Sequence, residues 1–243
     1  MTIAVAVTGA TGRMGRLILE LIDRDDAFTL HAALSSADSL DAMLGADVLI
    51  DVTRLDVSER AVDVALEGGL DVVIGTSGWD ATRIGALAER VPADRGVLVV
   101  PNFSLGSVLA THLATTAARF FDSVEILEAH HERKVDSPSG TAVRTAERIA
   151  AARDTPLDPP AAEQRARGEV VDGVPVHSLR LRGVVAEQRV LFGGTGELLE
   201  IRHETLDQSA YLAGIRTALL AAPDSTGVTV GLDALLGLDG AAR

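Results

Sequence analysis

The sequence predicts an α/β chain in two parts: an N-terminal parallel-sheet domain, then a C-terminal α+β domain with an open mixed sheet. Three observations predict this. From residue 1 to about 103, short apolar runs alternate with helix-patterned stretches, the grammar of βαβ units. After residue 103 a long helical stretch and a charged strand give way to runs of alternating apolar and polar residues joined by glycine turns. The first apolar run also leads directly into a glycine-rich turn and a helix.

The elements follow in order. Ile3-Ala4-Val5-Ala6-Val7 is apolar throughout, as a strand buried on both faces requires. Thr8-Gly9-Ala10-Thr11-Gly12-Arg13-Met14-Gly15 comes next, then an amphipathic helix from about Arg16 to Arg24. In a Rossmann-like turn Gly9 permits the tight bend, Gly12 lets a pyrophosphate approach the backbone and Gly15 lets helix pack on strand. The spacing is G-x-x-G-x-x-G rather than the usual G-x-G-x-x-G, and a turn that binds nothing is the bland alternative. The second strand, Phe28 to Leu34, ends in Ser35-Ser36, where an NAD site usually places an acid; the nearest acid is Asp38. A 2′-phosphate could then be accepted, paired by Arg13 or Arg54, so NADPH is expected to serve at least as well as NADH. As ordinary surface charges, the same arginines would say nothing of a cofactor. Strands at Asp47–Val52, Asp71–Ile74 and Gly96–Val100 end in the loops Thr53-Arg54, Gly75-Thr76-Ser77-Gly78 and Pro101-Asn102-Phe103-Ser104. Loops at the carboxyl ends of parallel strands are candidate walls of a nicotinamide site. Helices are predicted at Val57–Glu67 and Asp80–Arg90.

The second half carries a dense ionisable cluster. A helix from Leu105 to Phe120 precedes a strand, Ser123 to Ala129, which is expected to end there so that a loop turns both His130 and His131 inward. Histidine titrates nearest neutral pH and suits general acid work; Lys134 adds a fixed cation or a second proton. Ser139 is a candidate N-cap for a helix from Ala142 to Arg153. The helix start at Ser139, Gly140 and Thr141 would bind a carboxylate through free N–H groups, with Gly140 allowing close approach. The bland alternative is a capped helix beside a solvated charged loop. Residues 154–172 read as a loop. Val174–Arg182, Ala186–Phe192 and Gly196–His203 read as antiparallel strands, and Ala210–Ala222 as a helix. His203, His31, His112 and His177 stand apart from the cluster and read as core or surface. The domains expected are 1–103, completed by 213–243, and 104–212.

Bulk properties limit the function classes. A net charge of −13 argues against nucleic-acid or acidic-membrane partners, which need a basic surface. There is no cysteine, hence no disulfide, thiol nucleophile or cysteine metal site, and no metal is expected. No apolar run reaches membrane-spanning length and Met1-Thr2-Ile3 enters a strand without a signal pattern, so a cytoplasmic location is expected. An open sheet with exposed apolar positions predicts a homo-oligomer.

Glu128-Ala129-His130-His131-Glu132-Arg133-Lys134-Val135-Asp136-Ser137-Pro138-Ser139-Gly140-Thr141-Ala142 resembles the signature of the 4-hydroxy-tetrahydrodipicolinate reductases, formerly called dihydrodipicolinate reductases, of bacterial lysine and diaminopimelate synthesis. The glycine loop, the Gly75–Gly78 and Pro101–Ser104 loops and the tail through Ile201-Arg202-His203 and Gly214 are similar in order, so the resemblance spans essentially the whole chain. The compact second-strand region looks most like actinobacterial members. The resemblance implies His130 as acid/base residue and Lys134 as proton donor. It implies that His131, Lys134, Ser139, Gly140 and Thr141, with Thr76 nearby, hold a dicarboxylate. Gly9, Ala10, Thr11, Gly12, Arg13, Met14, Gly75, Thr76, Ser77, Val100, Pro101, Asn102 and Phe103 would line NADPH or NADH, alongside Ser35 and Arg54. A homotetramer is the expected assembly. Ser137, Ser77, Leu55 and Tyr211 depart from the usual Ala, Thr, Pro and Phe, which puts rate or cofactor preference in question rather than reaction type.

Other classes fit less well. A short-chain dehydrogenase needs Tyr-x-x-x-Lys, but Tyr211 is followed four residues later by Ile215. Gly75-Thr76-Ser77-Gly78-Trp79 lacks the last glycine of a nucleophile elbow, and His131-Glu132 lacks the second histidine of a zinc helix. A semialdehyde dehydrogenase has no specific residue in its favour. A non-catalytic dinucleotide sensor would keep the glycine loop but has no use for the His130–Thr141 cluster.

Overall fold

The computed structural model describes residues 2–161 and 163–238. The chain forms two compact units, one made of residues up to Leu105 and from Tyr211 onward, the other of Gly106–Ala210. Residue 1 and residues 239–243, which the expected N-terminal domain includes, lie outside the described residues.

The first unit is a six-stranded parallel sheet in the order β2-β1-β3-β4-β5-β11, where β1 is Ile3–Thr8, β2 Phe28–Leu34, β3 Val48–Asp51, β4 Asp71–Ile74, β5 Gly96–Val99 and β11 Gly227–Val230. All five pairings are parallel. β3, β4 and β5 are buried at every position, as strands covered on both faces must be. On one face Ala61, Val62 and Ala65 of α2 (Leu55–Glu67) and Leu87 of α3 (Ala81–Ala88) pack on Ala6, Leu49, Val72 and Val97. Helices α1 (Arg13–Arg24) and α6 (Leu212–Ala221) touch each other and bury Ile18, Ile22, Ile215 and Leu219. From β1 the chain runs to β2 on one side and to β3 on the other, which makes β1/β3 the topological switch point. The expected elements omitted β11, although Gly227-Val228-Thr229-Val230 carries strand chemistry; α1 also begins at Arg13 rather than about Arg16.

The second unit is a mixed sheet, β10-β9-β6-β8-β7. β6 is Ser123–His131, β7 Glu169–Val171, β8 Val174–Leu181, β9 Ala186–Gly194 and β10 Glu197–Thr205. The later strands are not a simple antiparallel set. β6 lies between β8 and β9, parallel to β8 and antiparallel to β9. The segment expected as loop, 154–172, contains β7. Ala114 of α4 (Leu105–Ala117) and Ala142, Ala146 and Ile149 of α5 (Gly140–Ala151) cover one sheet face through Val124, Ile126, Val190 and Phe192.

Candidate active site

The residues singled out in sequence fall at two places, one in each unit. In the first unit they are the loops at the carboxyl ends of β1, β3, β4 and β5. Gly9 has φ +79°, and a Cβ there would lie 2.6 Å from the Val52 carbonyl oxygen; at Gly15 it would lie 2.2 Å from the Gly9 oxygen. These two glycines are therefore demanded by backbone packing. Gly12 is different: the nearest atom to an added Cβ is the Gly9 oxygen at 3.2 Å, and Gly12 caps α1 without a side-chain acceptor. The first N–H groups of α1, at Arg13 and Met14, are thus left for an anion, and the first turn holds no acid to repel one. A dinucleotide pyrophosphate fits this geometry.

The neighbouring loops are built into the same wall. The Phe103 ring packs where a Gly75 side chain would stand, 2.7 Å from a Cβ placed there. Val100 N–H donates to the Ile74 carbonyl at 2.8 Å, and Ser104 N–H to Asn102 Oδ1 at 2.9 Å. Arg54 is exposed and pairs loosely with Asp56 at 3.5 Å. The end of β2 is less free of acid than its sequence implies. Asp38 accepts from both the N–H (2.8 Å) and the hydroxyl (2.7 Å) of Ser35, and these bonds hold its carboxyl below the usual range. A carboxylate is therefore fixed at the strand end after all.

In the second unit the organising group is Glu128, fully buried in β6. It stands two residues before His130, hence on the same face of the strand. His130 Nδ1 lies 2.6 Å from Glu128 Oε2. Arg180 reaches both carboxylate oxygens, at 2.9 and 3.0 Å. The Ser139 N–H donates to Oε1 at 3.2 Å. Burial alone would push the Glu128 carboxyl up; hydrogen bonds from His130, Arg180 and Ser178 outweigh it and bring the carboxyl down to about 2. The carboxylate accepts from Nδ1, so the proton-exchanging nitrogen of His130 is Nε2.

The strand does not end at Ala129. Pairing of His130 with Arg180 and Ala186, and of His131 with Leu181, keeps the backbone extended through His131. The two histidines therefore alternate between faces instead of turning in together. His131 Nδ1 is buried with no hydrogen-bond partner among the described residues.

The helix start is only partly free. Ser139 caps α5, its Oγ accepting from the Ala142 N–H at 3.2 Å, while its own N–H is taken by Glu128. The donors left are the N–H groups of Gly140 and Thr141. An added Cβ at Gly140 would meet nothing within 4 Å, so the approach to them is open. Beside it, the Asp136 carboxylate pairs with Lys134 Nζ at 2.8 Å. The Lys134 hydrogen bond lowers the Asp136 carboxyl, and the Gly140 N–H adds to the effect. The structure thus brings His130, Lys134, Ser139, Gly140 and Thr141 together around β6 and α5.

Sequence reasoning did not single out Glu128 and Arg180, the buried ion pair beside His130. An acid two positions before a histidine, on the same strand face, is a readable signal; no local pattern ties Arg180 to a residue 52 positions away. His203 is half-buried, which lowers its pKa, and its ring packs where Gly106 has no side chain. Among the described residues no cluster of three or more His, Asp or Glu side chains is arranged to hold a metal, and no helix is long and apolar enough to cross a membrane.

Comparison with known proteins gives the family. Residues 3–103 match the family model "Dihydrodipicolinate reductase, N-terminus", and residues 106–236 match "Dihydrodipicolinate reductase, C-terminus". The chain is 54% identical to the 4-hydroxy-tetrahydrodipicolinate reductase of Clavibacter sepedonicus over 99% of its length and 88% of that protein's. It is 45% identical to the enzyme of the same name from Beutenbergia cavernae, over 98% and 100%. A dipicolinate-bound dihydrodipicolinate reductase from Paenisporosarcina sp. TG-14 superposes with a TM-score of 0.83 at 30% identity, covering 96% of this chain and 99% of that one. With both halves matched in order, the chain belongs to the dihydrodipicolinate reductase family of oxidoreductases.

Proposed function

We propose that this chain reduces 4-hydroxy-tetrahydrodipicolinate to tetrahydrodipicolinate, with NADH or NADPH as reductant, in lysine and diaminopimelate synthesis. The observation that carries the reading is the joint use of Glu128, which holds His130 through Nδ1 and the α5 start through the Ser139 N–H. A proton donor and a carboxylate cradle are thereby fixed to one buried group. The relative from Paenisporosarcina binds dipicolinate, a pyridine dicarboxylate, and Lys134 here already pairs with a carboxylate, that of Asp136.

The first unit is assigned the dinucleotide: Gly9 to Met14 at the pyrophosphate, Ser35, Arg13 and Arg54 at the ribose end, Gly75 to Ser77 and Val100 to Phe103 at the nicotinamide. The bound dinucleotide supplies a hydride. The protein's part is to hold the dicarboxylate and deliver a proton. The Gly140 and Thr141 N–H groups and the Ser139 hydroxyl take one carboxylate; Lys134, freed from Asp136, and His131 meet the remaining negative charge. The 4-hydroxyl and a ring proton leave first as water, which makes the ring conjugated; as electron density then builds in that ring, His130 Nε2 or Lys134 Nζ gives it a proton. Glu128 keeps the imidazole oriented while its charge changes. The working form is a cytoplasmic homotetramer, supported by Leu191, Leu198 and Leu199 exposed on the second unit's sheet.

The test is loss of nicotinamide absorbance with synthase-generated substrate, run with NADH and with NADPH. Turnover inhibited by pyridine-2,6-dicarboxylate is expected. Dinucleotide binding without turnover would favour a sensor instead, and sedimentation at a monomer mass would remove the tetramer.

A further inference from the structure

A second buried carboxylate, which the proposed chemistry leaves unused, sits at the switch point of the parallel sheet. Asp51 ends β3, pairs in register with Thr8 of β1 and Ile74 of β4, and is fully buried. Three hydroxyls converge on it. Oδ1 accepts from Thr8 Oγ1 at 2.7 Å and from Thr53 Oγ1 at 2.6 Å; Oδ2 accepts from Thr76 Oγ1 at 2.6 Å. Each hydroxyl begins a different loop: the glycine loop, the Thr53-Arg54 turn and the Gly75–Gly78 loop. The main chain reinforces the tie, because the Thr53 N–H donates to Thr76 Oγ1 at 2.7 Å and the Gly75 N–H to the Asp51 carbonyl at 2.8 Å.

Hydrogen-bond capacity at Thr76 is nearly used up. A threonine hydroxyl has one proton and two lone pairs. The proton goes to Asp51 and one lone pair to the Thr53 N–H, so a single lone pair remains. The Thr76 side chain can accept from a ligand N–H but cannot donate to a carboxylate.

We propose that Asp51 is a positioning residue that clamps the three loops and fixes the Thr76 hydroxyl as an acceptor for the primary carboxamide of the nicotinamide ring. The inference rests on assigning the first unit to a dinucleotide, and it deepens that assignment: Thr76 belongs to the cofactor and not to the dicarboxylate. Asp51→Asn keeps the shape of the side chain but turns one of its two acceptor oxygens into a donor, so the three hydroxyls can no longer all donate to it.

The experiment compares binding of NADPH with its 3-acetylpyridine analogue, in which a methyl group replaces the carboxamide NH2. It uses the native enzyme and the variants Asp51→Asn, Thr76→Val and Thr76→Ser, with thermal melts to confirm folding. Native enzyme and Thr76→Ser are expected to prefer the carboxamide by about fivefold to tenfold, the size of one hydrogen bond. Asp51→Asn and Thr76→Val are expected to bring the ratio close to one. A ratio unchanged in Thr76→Val overturns the Thr76 assignment, even if Asp51→Asn fails to fold. A ratio unchanged in folded Asp51→Asn overturns the clamp. Native enzyme that binds neither dinucleotide overturns the cofactor assignment itself, and the inference with it.

Discussion

Asp51 in the first unit and Glu128 in the second are both fully buried acids near the carboxyl ends of strands, but they are partnered by groups of different charge. Asp51 is held by three neutral hydroxyls; Glu128 is held by a guanidinium, an imidazole and a backbone N–H. Neutral donors fix geometry and add no charge, so the Asp51 cluster is suited to holding loops in place. His130 and the permanent cation Arg180 together hold the Glu128 carboxyl low, so that carboxylate can orient a group that gains and loses a proton. The contrast teaches that a buried acid has to be read through its donors. The same residue class serves as a clamp in one unit and as a support for proton transfer in the other.

The comparison can be broken most sharply at Lys134. Lys134→Ala is expected to lower kcat/KM by roughly a hundredfold to a thousandfold, because the cation meets charge that develops in the reaction, while dinucleotide affinity stays within about threefold. Steady-state rates with a fluorescence titration check it, and unchanged turnover would remove Lys134 from the mechanism. Gly140→Ala separates a ligand cradle from a merely capped helix. The added methyl meets no atom within 4 Å, so thermal stability should hold or rise. KM for the dicarboxylate should nevertheless rise about tenfold, because the ligand approaches the backbone there; an unchanged KM would leave α5 without an anion role. Asp38→Asn removes the carboxylate that Ser35 fixes at the end of β2. It should shift the ratio of kcat/KM values towards NADPH by about threefold to tenfold, since a negative group near the 2′-position is lost. A shift towards NADH would place the ribose elsewhere.

Acid titration sharpens the contrast with the smallest expected effect. The Glu128 carboxyl is lowered to about 2 in the fold from its ordinary value of 4.5. Its stabilisation is therefore complete above the unfolded value and is lost as pH falls from there towards the folded one. Unfolding free energies measured across that window should decline less in Glu128→Gln than in the native protein. Parallel declines would show that Glu128 contributes no such linkage.

The parallel half was largely legible in the sequence because its strands are uniformly apolar and its turns are punctuated by glycine. Gly9 and Gly15 could be read as backbone requirements, and close contacts with Val52 and Gly9 supply the reason. β11 was not seen because it is only four residues long and its place at the sheet edge depends on long-range pairing with β5. In the second unit the His130–Thr141 cluster was legible as chemistry, but its geometry was not. Whether β6 ends at Ala129 or runs on through His131 depends on pairing with β8 and β9, and that pairing is long-range. The same holds for the site's hidden partners. Asp51 and Thr76 are 25 residues apart, Glu128 and Arg180 are 52 apart, and only the folded sheet brings them together.

The most direct test sets Glu128→Gln beside Asp51→Asn and measures, for each, kcat with saturating substrates and the Kd for NADPH. The account predicts opposite losses. Glu128→Gln should lose about a hundredfold in kcat with Kd within about threefold, as expected for a misoriented proton donor. Asp51→Asn should weaken NADPH binding about fivefold to tenfold with a much smaller loss in kcat. If both variants lose the same parameter by the same factor, the two carboxylates have no separate roles and the account is contradicted.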